Sequence, residues 1–249
     1  AGIMVLFIFL VKNKHLPKIE KNGIMPVMLL GSVQTFGQYI FTYIGIGFTS
    51  GANTSVITAC ATFFTVLFAP LFFKSDKLNI CKIIGCVLGF CGVLCVNSGG
   101  GVTVDTLFGD FMILMSTLSA AAGNFISKGI VRDREPISVT GFQLLFGGIL
   151  LLIAGFVTGG KLDFLSIKAL LVLLWLAFVS AAAFAIWTAL LKHHPASRIC
   201  VFNLLVPVFG TLLSGIILGE SVFGIETIVS VVLICAGIFI SNMQIKKEV

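Results

Sequence analysis

The sequence has very little charge. Only 10% of its 249 residues are Asp, Glu, Lys or Arg, whereas 58% are hydrophobic and the mean hydropathy is +1.13. A soluble domain carries about 25% charged residues. Because so few polar residues could not cover a water-facing surface, the composition excludes an ordinary soluble protein and indicates an all-α polytopic membrane protein.

The signatures of several other functions are also missing. There is no CxxC pair, and the seven cysteines lie mostly in apolar runs, as expected for small buried hydrophobic residues. The glycine-rich stretch NSGGGVTVD lacks the Lys-Ser/Thr that ends a phosphate-binding loop. No nucleophile–base pair or metal-ligand cluster is recognisable, and no soluble basic domain could carry nucleic acid. We therefore expect no catalytic residue, metal or cofactor.

Charges and turn residues divide the chain into long apolar segments. Crossing the hydrocarbon core takes about 20 residues in a helix, and only helices suit these segments, because lipid offers no partner to an open strand edge. The segments predict helices at 24–48, 52–73, 78–97, 107–130, 137–158, 165–191, 198–218 and 222–243.

Basic residues fall on one side of this arrangement. Fourteen of the sixteen Lys and Arg lie in one alternating set of loops, and only Lys161 and Lys168 lie in the other. The positive-inside rule predicts that the first set is cytoplasmic. Since a wrong count of spans would scramble this segregation, it also supports the predicted helices.

An internal repeat appears when the chain is shifted by 145 residues. Residues 54–97 then match 199–242 without a gap, with identities such as Gly92/Gly237 and Asn97/Asn242. The shift covers an odd number of helices, so the second copy enters the membrane from the opposite side. Inverted repeats of this kind are typical of secondary transporters, whose sites lie near the bilayer midplane.

The repeat also accounts for the short opening run AGIMVLFIFLVKNK. Its apolar part rises about 16 Å, roughly half of the hydrocarbon core. The 145-residue shift places the start of the first copy about 38 residues before Ala1. We therefore expect a ten-helix, five-plus-five inverted repeat that lacks its first helix and part of the second. Residues 1–100 form the first repeat and 101–249 the second.

The predicted spans carry no charged residue near the middle of the membrane. Asp110 and Glu226 fall near the outer ends of helices, where we expect interfacial anchoring. Thr58 and Thr62 share one helix face, and the shift places Asn203 and Pro207 on the equivalent face of the second copy. Because Pro207 has no N–H, the carbonyl of Asn203 should lose its helical donor.

Two further helices carry similar stripes. The predicted substrate path is made up of uncharged polar residues, a proline and an aromatic side chain: Gln34, Gln38, Thr58, Thr62, Ser116, Ser119, Asn124, Trp187, Asn203 and Pro207. The alternative is that the Ser, Thr and Gly stripes are helix-packing seams. That alternative is weaker for the large amides, which pack poorly and are costly in lipid.

Several motifs resemble those of the EamA family in the drug/metabolite transporter superfamily. They are Ala196-Ser197, Pro207-Val208 and Leu218-Gly219-Glu220, together with GDFMILMSTLSAAAGNFISKGIVR, which looks like the family's sixth helix. The resemblance implies a ten-helix carrier with cytoplasmic termini, located in a bacterial inner membrane. Family members export or exchange amino acids, metabolites or drugs, often coupled to protons or ions.

Taken together, the sequence predicts a secondary transporter rather than an enzyme. Its partners would be the lipid bilayer, a small organic solute and a coupling proton or ion. It would work by alternating access, with the two copies rocking about a central cavity. The alternative functions are a non-transporting membrane subunit or sensor, and an intramembrane enzyme.

Overall fold

Every regular element that the structure describes is helical. The computed structural model describes residues 1–14, 21–72, 79–98, 104–160, 166–194, 205–218 and 224–243. Eleven α-helices lie in these ranges: α1 (Gly2–Asn13), α2 (Lys21–Leu30), α3 (Gln38–Gly45), α4 (Gly51–Thr58), α5 (Cys60–Phe72), α6 (Ile80–Ser98), α7 (Val104–Val131), α8 (Pro136–Val157), α9 (Ile167–His193), α10 (Leu205–Leu213) and α11 (Ile225–Asn242). A π-helical segment, Gly31–Gly37, joins α2 to α3, and a second, Ser214–Leu218, continues α10.

Five helical segments within the described ranges are long and apolar enough to cross a membrane. They are Asn22–Gly45, Asn53–Phe72, Val104–Val131, Pro136–Val157 and Ile167–His193. Many of their large apolar side chains are exposed, as Leu171 is at 61% and Trp175 at 65%. Exposed apolar surface of this extent suits contact with lipid. These helices confirm the predicted polytopic membrane protein.

The predicted helix 52–73 is instead two helices that meet at Ala59. The N–H of Ala59 bonds to the carbonyl of Val56, three residues back, at 3.2 Å. Just before this break, the hydroxyls of Thr54, Ser55 and Thr58 each donate to the carbonyl four residues earlier. Such bonds compete with the helical ladder and bend helices. Hydropathy alone carries no sign of this break.

Other boundaries agree with the prediction to within a few residues. The helix predicted at 137–158 is observed at Pro136–Val157, and that at 222–243 is observed at Ile225–Asn242. The helix predicted at 24–48 ends earlier, at Gly45, because Ile46 to Thr49 close into turns. Of the prediction for 198–218, residues 198–204 lie outside the described part.

The chain forms two compact units. The first unit consists of residues 1–37 and 126–194, and the second of residues 38–125 and 195–249. In the first unit, Val27, Leu30, Val131 and Val139 form one buried cluster of α2, α7 and α8. Helix α1 packs closely on α8, since a Cβ atom at Gly2 would lie 2.6 Å from the backbone nitrogen of Leu145.

In the second unit, α6 and α11 pack along each other through small residues. A Cβ atom at Gly92 would lie 2.9 Å from the carbonyl oxygen of Ser230, and one at Gly237 would lie 2.5 Å from the carbonyl oxygen of Gly85. The hydroxyl of Ser230 also donates a 2.6 Å hydrogen bond to the carbonyl of Gly92. Under the 145-residue shift, Gly92 corresponds to Gly237 and Gly85 to Ser230. The two close contacts are therefore reciprocal.

Candidate functional site

The end of α3 and the first turns of α7, both in the second unit, cross at two glycines. A Cβ atom at Gly45 would lie 2.6 Å from the Ile113 side chain and 2.9 Å from the carbonyl oxygen of Gly109. A Cβ atom at Gly109 would in turn lie 2.9 Å from the backbone of Phe48. Because neither position has room for a side chain, the two backbones approach closely. Polar groups on the facing surfaces of the two helices are thereby brought together.

One turn from this crossing, two hydroxyls are hydrogen-bonded to each other. The Thr42 and Ser116 oxygens are 2.6 Å apart, and the Thr42 hydroxyl donates a 2.9 Å bond to the carbonyl of Gln38. Since the single Thr42 hydrogen is used on Gln38, Ser116 donates to Thr42. Ser116 is only 5% exposed. The result is a chain of exchangeable hydrogen-bonding groups, here called the hydroxyl seam, between two apolar helices.

Two more predicted path residues lie on the same helix as Ser116. Ser119 is one turn further along α7 and is half-buried, whereas Asn124 is two turns further and only 7% exposed. Both make interactions with other groups. Helix α7 thus carries hydroxyl and amide groups over about two turns beyond the α3 crossing. The stripe predicted there from the sequence is a set of buried and half-buried groups.

The threonine stripe predicted on one continuous helix is divided by the break at Ala59. Thr62 and Thr65, in α5, are fully buried, whereas Thr58, the last residue of α4, is exposed. The hydroxyl of Thr58 bonds to its own helix, at 2.6 Å from the carbonyl of Thr54. Thr58 therefore has different surroundings from Thr62 and Thr65, although all three belong to the predicted stripe.

The first unit holds a buried amide pair. The side-chain nitrogen of Gln143 on α8 donates a 2.8 Å hydrogen bond to the side-chain oxygen of Gln34 in the π-helical segment. Their exposed fractions are 0% and 5%. The sequence prediction included Gln34 but missed Gln143. An amide within the apolar run GFQLLFGG was the available signal.

The other predicted path residues lie on further helices or outside the described part of the chain. Trp187 lies on α9 in the first unit and is half-buried. Asn203 falls outside the described residues, and so does the predicted effect of Pro207 on its carbonyl. Pro207 itself lies in α10.

Asp110 is a buried carboxylate that the sequence did not predict as one. Its side chain is only 8% exposed, and the Thr49 hydroxyl donates to its Oδ1 atom at 2.5 Å. Asp110 is therefore more buried than we expected of a carboxylate that anchors a helix at the interface. Glu226, in the first turn of α11, is exposed.

The long apolar helices are those of a polytopic membrane protein. The model of the EamA-like transporter family matches residues 1–98 and 107–243, so the chain belongs to that family. The chain is therefore a membrane protein of a transporter family, as the sequence motifs predicted.

Related proteins carry transporter names. The uncharacterized transporter YetK of Bacillus subtilis is 24% identical, over 99% of this chain and 76% of its own length. A probable amino-acid metabolite efflux pump of Salmonella typhimurium is 29% identical, over 87% of this chain and 77% of its own. The uncharacterized inner membrane transporter YedA of Escherichia coli K12 is 26% identical, over 97% of this chain and 78% of its own length.

The same fold is present in a solved crystal structure. That protein superposes with a TM-score of 0.71 at 18% sequence identity, covering 97% of this chain and 85% of its own. At this identity the likeness shows the fold alone.

Proposed function

We propose that this protein is a secondary transporter that exports or exchanges a small organic solute by alternating access. The observation that carries the proposal is the hydroxyl seam, in which the half-buried Thr42 and the buried Ser116 join two apolar helices of a transporter family member. A hydroxyl can replace its hydrogen bond to a neighbouring group by one to a ligand at little cost in free energy. Such hydroxyls suit a site that must bind and then release a solute. If the seam served only to pack the two helices together, its hydroxyls would not need to change their hydrogen-bonding partners.

Two observations support the inverted repeat that alternating access would use. The family model matches the chain in two segments, close to the proposed repeats 1–100 and 101–249. The contacts of Gly92 with Ser230 and of Gly237 with Gly85 are exchanged by the 145-residue shift, as expected for two copies related by a twofold axis.

The proposed solute is an amino acid or a related metabolite. The Salmonella relative is named for amino-acid metabolite efflux, and the hydroxyl and amide groups of the proposed path would bind polar, uncharged parts of such a solute. The path residues proposed are Gln34, Gln38, Thr58, Thr62, Ser116, Ser119, Asn124, Trp187, Asn203 and Pro207. We also propose Thr42, because it is hydrogen-bonded to Ser116. The proposed location is the inner membrane of a bacterium, as the name of the YedA relative suggests.

An efflux experiment tests the proposal and searches for the solute. Cells that express the protein from its whole gene are loaded with labelled amino acids, and the loss of each label is followed with and without a pH gradient. We expect faster efflux of at least one amino acid, and slower efflux with Gln38→Ala or Ser116→Ala at equal expression. Thr158→Val, which removes an exposed hydroxyl at the end of α8, is the matched control. Unchanged flux in both path variants would contradict the site.

A further inference from the structure

Helices α4 to α7 of the second unit enclose a groove of about 510 Å³. Its floor is buried and includes Ile57, Cys60 and Phe63, of which the last two belong to a core cluster of the unit. Ligand-binding pockets have volumes of about 300–1,000 Å³, have mostly hydrophobic and aromatic walls and are usually largely pre-formed. The groove has this size, and its floor is held in place by the core.

The rim of the groove is apolar and exposed. It includes Val87 and Phe90 on α6 and Leu107 and Phe111 on α7. Helix α7 is long and apolar enough to span a membrane, and protein surface in the hydrocarbon core meets acyl chains rather than water. A molecule that fills the groove therefore comes from the bilayer.

The lining offers almost no polar surface to a ligand. Asp110 is part of it, but its Oδ1 atom accepts a hydrogen bond from the Thr49 hydroxyl and its Oδ2 atom is buried. A polar or charged group in the groove would lose its hydrogen bonds to water without gaining others. The part of a ligand that enters the groove is therefore hydrocarbon.

The groove extends over about the depth of one leaflet. Its wall on α4 and α5 runs from Ile57 to Leu67 at spacings of three or four residues, which place the wall residues along one helix face. At about 1.5 Å per residue this wall is about 15 Å long. Half of a hydrocarbon core of about 30 Å has the same length. An acyl chain that lies along α5 can thus reach from the headgroup region to the bilayer midplane.

A protein partner suits the groove less well. Twelve of the described residues line it. A standard protein interface takes about 20–30 residues on each side. The small concave surface therefore favours a single hydrocarbon chain over a second copy of this protein.

We propose that this groove binds one acyl chain of a bilayer phospholipid. The chain lies along α5, between α6 and α7, and the headgroup stays outside the groove at the membrane surface. Because the lining holds only hydrocarbon, the groove accepts lipids with different headgroups. The site differs from the hydroxyl seam, and the inference does not depend on the proposed transport.

Photolabelling tests the inference directly. The whole-gene protein is placed in nanodiscs that hold one protein each and contain phosphatidylcholine with a diazirine in one acyl chain, and mass spectrometry locates the labelled residues after irradiation. We expect labels on Ile57 and Phe63, which lipid outside the groove cannot reach. Val56 and Val66 are the controls, since they are also buried in α4 and α5 but lie outside the lining, and they should carry no label.

The lipid headgroup should not affect this result. Phosphatidylglycerol with the same diazirine chain should label Ile57 and Phe63 as efficiently as phosphatidylcholine does. Labels confined to the rim would show ordinary surface lipid and would overturn the inference. Labelling of the floor by only one of the two lipids would show headgroup recognition and would also overturn it, as would a floor that is labelled only when a nanodisc holds two copies.

Matched variants assign the site. Val87→Trp, on the exposed rim, should lower labelling of the floor at least about tenfold, because the larger side chain fills the groove. Ile84→Trp is the control, since Ile84 is also exposed on α6 but lies outside the lining. Surface substitutions rarely affect folding, so both variants should fold. Wild-type labelling of the floor in Val87→Trp, or an equal loss in both variants, would contradict the assignment.

Discussion

Gln143 and Gln34 are joined by a 2.8 Å hydrogen bond between their side-chain amides, in a part of the first unit where both are buried. The bond links α8 to the π-helical segment Gly31–Gly37. The side-chain oxygen of Gln143 has no hydrogen-bond partner among the described residues. The pair therefore combines a stabilising contact with a buried acceptor that is costly to leave unsatisfied.

Breaking this pair should destabilise the protein. We expect Gln34→Leu to lower the free energy of unfolding by about 1 kcal/mol, the scale of hydrogen bonds between membrane helices. The double variant Gln34→Leu/Gln143→Leu should lower the free energy of unfolding by less than the sum of the two single variants. The reason is that it leaves neither amide buried without its partner. Thermal unfolding in detergent measures both effects.

Ser32→Ala is the control for the amide pair. Ser32 lies in the same π-helical segment, but its hydroxyl bonds only to the Met28 carbonyl of its own helix. Its loss should change unfolding little. If the destabilisation of the double variant equalled the sum of the two single destabilisations, the two amides would act independently.

The reciprocal glycines of α6 and α11 should not tolerate a methyl group. At both Gly92 and Gly237 an added Cβ would approach a backbone atom of the facing helix within 2.9 Å. We expect Gly92→Ala and Gly237→Ala each to destabilise by about 1–3 kcal/mol, as overpacking does.

Gly148→Ala provides the comparison, since nothing lies within 4 Å of the added Cβ. It should leave stability unchanged or raise it by up to about 1 kcal/mol, because Ala favours helices. Circular dichroism during heating compares the three variants. A Gly237→Ala protein as stable as Gly148→Ala would contradict the close packing.

The ends of α8 should lie on opposite sides of the membrane. Arg132 and Thr158 flank this helix and are both exposed. The positive-inside rule places Arg132 in the cytoplasm. We expect an impermeant thiol reagent to label Thr158→Cys but not Arg132→Cys in intact cells, and both after lysis. The protein without a new cysteine gives the background. Labelling of Arg132→Cys in intact cells would reverse the topology.

The sequence predicts membrane helices well, because long apolar runs leave few alternatives in lipid. The bounds of α8 and α11 agree to within a few residues for that reason. The break at Ala59 could not be predicted from hydropathy, because it follows from side-chain bonds of Thr and Ser to the backbone. The pairing of Gln34 with Gln143 depends on which helices meet, and periodicity along one helix does not determine that.

The burial of Asp110 shows the same limitation at the candidate sites. Position along a helix predicts depth in the membrane, which suggested an interfacial carboxylate. Whether a neighbour covers it depends on the crossing of Gly45 and Gly109, residues distant in sequence. Part of the hydroxyl seam was predictable, since Ser116 belongs to the predicted path, whereas its contact with Thr42 was not.

Solute counterflow in proteoliposomes tests the central claim most directly. Vesicles that contain the whole-gene protein are loaded with an unlabelled amino acid identified by efflux, and uptake of the labelled form is followed. The account predicts transient accumulation with the wild type and with Thr158→Val, and a reduction of about tenfold or more with Thr42→Val or Ser116→Ala. Accumulation at the wild-type rate in both seam variants, at equal protein content, would contradict it.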